Sequence, residues 1–71
     1  MKLTVSDDRY HVHWTAHIEQ GRTAAQWCYD SFGSGWGHES VEPPDSRYHA
    51  DHYFIFAKLY HAQWFMAKWT A

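Results

Sequence analysis

Seven histidines are the compositional outlier of this 71-residue chain, and their spacing decides which chemistry to consider first. In YHVHWTAHI, residues 10–18, His11, His13 and His17 alternate with apolar residues, so all three share one face of an extended segment. Two imidazoles at that spacing suit a divalent ion. His49, Asp51 or His52 would complete a mixed nitrogen and oxygen set for zinc or a similar metal, which makes His11, His13, His49 and Asp51 the candidate ligands. The plainer reading is a strand's solvated side with no cofactor. The same residues also suit partner contact, and His11, His13, His17, Trp36, His49 and Tyr53 are the candidates for it. Because an unperturbed imidazole titrates near about 6.5, the net charge moves from negative to positive as pH falls through roughly 6. Solubility is expected to be poorest there.

Catalysis would need a nucleophile or base held by a third group, such as a histidine with Asp51 or Glu19, or Cys28 beside a histidine. No spacing supplies that arrangement. Cys28 falls on the apolar stripe of a helix, where a buried inert thiol is the expected state, so the chain reads as a binding protein rather than an enzyme. A single cysteine forms no intrachain disulfide and no cysteine-based zinc site, which favours a reducing, cytoplasmic setting. MKLTVSDDR lacks the apolar core of a signal peptide, and no segment approaches the roughly 18 apolar residues that cross a bilayer.

These residues must be positioned by a small number of elements. Tyr10, Val12, Trp14, Ala16 and Ile18 define the buried side of a first strand over residues 10–18. Residues 1–8 either extend it through Leu3 and Val5 or form a loose lead-in. Thr23 to Gln26 matches a capping box, so a helix is expected to begin there, to carry Ala24, Trp27, Cys28 and Phe32 on one stripe, and to stop near Gly33. Residues 33–46, with three glycines and Pro43-Pro44, read as the mobile segment, with a short edge strand over Trp36 to Val41. Asp51 to Ala57 reads as a strand covered on much of both faces. It leads into a second helix with Ala62, Phe65, Met66 and Trp69 in line, which either runs on or yields to a last short strand at Lys68-Trp69-Thr70. By position on apolar faces, Trp14, Trp27, Trp64 and Trp69 are core. Trp36, between two glycines, is either tucked over the core edge or displayed as an interface anchor.

Arg9-Tyr10-His11 recurs as Arg47-Tyr48-His49, and Ala25-Gln26-Trp27 as Ala62-Gln63-Trp64, so both halves read strand then helix. The expected fold is a single α+β domain over 1–71 with an antiparallel sheet in the ferredoxin-like order β-α-β-β-α-β. Both helices then lie on one face, and the first and third strands lie together at the centre. At 45% apolar and 20% aromatic residues the chain is too rich in core formers to be disordered, although 71 residues are near the lower limit for one self-sufficient core. The open face would then carry His11, His13, Thr15 and His17, joined by His49, Asp51 and Tyr53. Such a face could stack bases. Yet the six Lys and Arg are scattered, the net charge is −2, and the basic, glycine-rich signature of RNA-recognition domains is absent, so nucleic acid is not the expected partner.

Phe54-Ile55-Phe56 followed by His61-Ala62, Trp64-Phe65 and Lys68-Trp69, with a fainter echo in Trp27-Cys28-Tyr29 and Phe32-Gly33, resembles small uncharacterised proteins of tailed bacteriophages. The likeness covers mainly the last 20 or so residues, and it departs at His61, where many of those proteins have an acidic residue. It implies a small viral protein in the bacterial cytoplasm that binds and disables a host or anti-phage defence protein, in the manner of an anti-CRISPR. It carries over no catalytic residue. A homodimer through the open face or an edge strand is a companion expectation, and a histidine-based small-ligand or metal protein, with or without hydrolytic chemistry, is the alternative.

Overall fold

The alternation at residues 10–18 builds a central strand. In the computed structural model, which describes residues 1–45 and 48–70, β2 (Arg9–His17) pairs antiparallel with β1 (Lys2–Ser6) on one side and with β4 (His49–Phe56) on the other. The outer edge beyond β4 is β3 (Trp36–Val41), giving the sheet order β1-β2-β4-β3. Two helices complete the domain, α1 (Ile18–Phe32) and α2 (Leu59–Thr70).

The class is α+β with an antiparallel sheet, and β2 and β4, the first and third strands of the sequence reading, do lie together at the centre. The order along the chain is β-β-α-β-β-α, a ferredoxin-like arrangement whose second edge strand comes from the N-terminal side. Residues 2–6 are therefore neither an extension of the first strand nor a loose lead-in. They turn back through Asp7 and Asp8, at φ 53 and 60, a two-residue hairpin loop with both residues left-handed. Aspartate tolerates that backbone better than most residues. No strand follows α2 among the described residues, because the helix runs to Thr70.

Register fixes the faces. Val12 sits opposite Phe54, Trp14 opposite His52 and Ala16 opposite Ala50, so all point to one side. Val12, Phe54 and Phe56 there are fully buried against Ala24 and Cys28 of α1 and Ala62 and Phe65 of α2. Phe65 is the hub. Its ring centroid lies 4.4 Å from Phe54, 5.4 Å from Phe56 and 6.2 Å from both Trp14 and Trp27. With both helices on this side, β4 is half-buried rather than covered on both faces, and Tyr53 is 39% exposed. Trp64, expected in the core, is 54% exposed and meets Trp27 and Phe32 in edge-to-face contacts.

Helix α1 begins five residues before the expected Thr23. His17 is the cap: its Nδ1 accepts the Glu19 amide at 3.0 Å, and the Gln20 side chain accepts the His17 amide at 3.1 Å. Thr23 is inside the helix, donating its hydroxyl to the Glu19 carbonyl at 2.9 Å. Gly21 is buried where α1 crosses β4, and a Cβ there would lie 2.0 Å from the His52 ring. Glycine is what lets helix and strand come this close. At the other end Gly33 takes φ 73 and its amide bonds the Tyr29 carbonyl at 2.9 Å, the expected stop.

Candidate functional site

Because the helices occupy one side, the other side of the sheet is open. Parity places Arg9, His11, His13, Thr15 and His17 of β2 on it, beside His49, Asp51, Tyr53 and Ile55 of β4. The edges add Lys2, Thr4 and Ser6 from β1 and Gly37, Glu39 and Val41 from β3.

A hydrogen-bonded and stacked group on this face is built across β2 and β4. His13 and Tyr53 are directly opposed and their rings stack at 4.9 Å with an interplanar angle of 13°. Asp51, opposite Thr15, accepts from both neighbours on one oxygen: His13 Nε2–H donates at 2.9 Å and the Thr15 hydroxyl at 2.9 Å. The carboxylate only accepts, so the His13 proton is on Nε2. These bonds, that of His13 foremost and then that of Thr15, hold the Asp51 carboxyl below its ordinary range. One cross-strand row thus reads Lys2, His13, Tyr53, Glu39, basic at one rim and acidic at the other.

The remaining candidates are more dispersed. His17, opposite His49, meets it edge to face at 6.0 Å and stacks on Tyr48 at 6.1 Å, and its Nδ1 is already used as the helix cap. His11 lies opposite Ile55. Of the four candidate metal ligands, His13 and Asp51 meet directly, while His11 and His49 fall toward opposite ends of the face. Among the described residues no three His, Cys, Asp or Glu side chains are gathered as a metal would need. Trp36 is not displayed on the open face. It pairs with Phe56 on the helix side, packs against the core and donates its indole N–H to the Gly33 carbonyl at 3.2 Å.

His52 is also on the helix side, 1% exposed. Its Nε2–H donates to the His17 carbonyl at 3.3 Å, which leaves Nδ1 to accept the Nε2–H of His38 at 3.2 Å. His38 stacks on Phe54 at 4.3 Å, and burial, then the nearby His52, lowers its pKa. This imidazole chain across β3 and β4 was missed by reading His52 as a candidate ligand. The available signal was parity, since His52 falls in step with Phe54 and Phe56. Cys28 is buried in the core and burial pushes its thiol up to about 12, so it is not a nucleophile at neutral pH.

Among the described residues no helix is long and apolar enough to cross a membrane. In comparisons with known proteins, no protein family, no curated protein and no solved structure matches this chain.

Proposed function

We propose that this protein acts by binding another protein through the open face of its sheet. One observation carries the reading: both helices pack on the same side, so no helix among the described residues covers the other face of the four-stranded sheet, which has the stacked His13 and Tyr53 near its centre. The Tyr53–His13 stack, tied down by Asp51 and Thr15, is an amphipathic anchor whose ordering entropy is spent before any partner arrives. Lys2 and Glu39 at the two rims give the face a polarity that a partner would meet with an acid on one side and a base on the other. The resemblance of the C-terminal third to small tailed-phage proteins makes the proposed partner a bacterial host or defence protein that the complex inhibits.

The test is capture from bacterial lysate on immobilised wild-type protein and on the His13→Ala, Tyr53→Ala double variant, with sedimentation of both at rising concentration. Stoichiometric capture of one protein by the wild type, lost in the variant while its melting temperature holds within a few degrees, is the expected result. Equal capture by both would move the interface elsewhere. A concentration-dependent dimer abolished by the double substitution, with no captured protein, would make the partner a second copy of the chain.

A further inference from the structure

Toward the end of the open face away from Asp51, β3 presents a glycine in place of a side chain. Gly37 lies there opposite Ile55, and the Gly35 carbonyl accepts the Ala57 amide at 3.0 Å. The result is an open cleft of about 330 Å³ bounded by Arg9, Gly35, Trp36, Gly37, Ile55 and Ala57. That volume falls at the small end of the range for small-molecule sites, roughly 300 to 1,000 Å³.

Chemistry distinguishes the two parts of the cleft. Its floor is apolar, made of Ile55, Ala57 and the backbone at Gly35 and Gly37, and the indole N–H of Trp36 is already engaged by Gly33. Its one charged wall is Arg9, whose guanidinium makes no hydrogen bond or ion pair with any described residue. A guanidinium presents a planar fork of donors that matches a carboxylate on two bonds. Glu39, the next residue of β3 on this face, and Asp7 and Asp8 before Arg9 would repel a second negative charge. Nor does packing require the space. A Cβ on Gly37 would meet nothing within 4 Å, so glycine is not needed there to avoid a clash.

We infer that the cleft between Arg9 and Gly37 binds a small aromatic monocarboxylic acid, the carboxylate on the Arg9 guanidinium and the ring over Ile55 and Ala57. The cleft lies at one end of the face proposed to bind a protein but uses none of the His13, Asp51 and Tyr53 group, so His13→Ala, Tyr53→Ala tests that reading and leaves the cleft intact.

The probe is phenylacetate, titrated into isotopically labelled full chain and followed by NMR. Saturable shifts are expected at the amides of Gly35, Gly37 and Ala57 and at the Arg9 side chain. 2-Phenylethanol, which lacks the charge, should bind about tenfold or more weakly, and Arg9→Gln should weaken phenylacetate by a similar factor. Gly37→Val is the second variant. It adds a strand-favouring side chain into open space, so it should melt no lower than the wild type and yet lose binding. No saturable shift at millimolar phenylacetate, equal binding of the alcohol, or full binding by a folded Gly37→Val would each overturn the inference. Tighter binding of a peptide with a free C-terminal phenylalanine than of phenylacetate would overturn the small-acid assignment in favour of a chain terminus.

Discussion

Single titrating groups set how this domain responds to acid, and their signs agree. His38 is lowered by burial and then by His52, and His61, stacked on Phe32 at 4.1 Å with an unpartnered Nδ1 among the described residues, is lowered by burial and then by Lys58. In both cases the unfolded chain binds a proton more readily, so their contribution is whole above about 6.5 and is lost as pH falls through the lowered native values. Asp51 is also lowered, so its contribution is whole above about 4 and is lost at lower pH. The melting temperature is therefore expected to fall in two stages on acidification. The His38→Gln, His61→Gln double variant should flatten the first stage and Asp51→Asn the second, as calorimetry from about pH 2 to about pH 8 would show. The alternation of Tyr10 to Ile18 made the company of His11, His13 and His17 legible, because parity in a strand leaves two choices. The His13–Asp51–Thr15 bonds were not legible, since they depend on the β2–β4 register. Arg9 and Gly37, far apart in the chain and unremarkable in type, gave no sign that they share a cleft.

Strands proved easier to read than helix starts. Trp36–Val41 and the aromatic run in β4 fall where aromatic, β-branched and flanking glycine residues put them, and α2 follows its apolar spacing. The start of α1 was hidden because histidine is an uncommon cap and Gly21 argues against helix, whereas Thr23 offers the more familiar pattern. What overrides local preference is tertiary: Gly21 is held in helix because α1 needs it to pass the His52 ring. Gly21→Ala should accordingly cost about 2–3 kcal/mol despite alanine's better helix propensity. In a His52→Ala background the same change should cost less than about 1 kcal/mol, a coupling of the size seen between contacting residues. Denaturant melts of the four proteins in this cycle would check it, and additive costs would show that the contact does not hold α1 to β4.

The whole molecule is small enough for one ring to decide whether it folds. Phe65 joins α2 to β2, β4 and α1, and Phe65→Ala should cost about 3–5 kcal/mol, against a total stability of roughly 4–10 for a domain of this length. Its circular dichroism melt should begin well below that of the wild type, and Phe65→Leu should recover much of the loss. At this scale the α+β class and the central pair of strands could be read from the chain, but the origin of the edge strand could not. KLTVS is too short and too polar to announce itself, and only the Asp7-Asp8 turn commits it to β2. That turn has a further consequence. β1 is an edge strand that borders β2 alone, so it can peel away by giving up one ladder, and straightening Asp7 and Asp8 would return the free energy that their left-handed backbone costs. An intrinsically sprung hinge beside a detachable border strand is the arrangement from which two copies can trade strands, each completing the other's sheet without a new contact having to be invented.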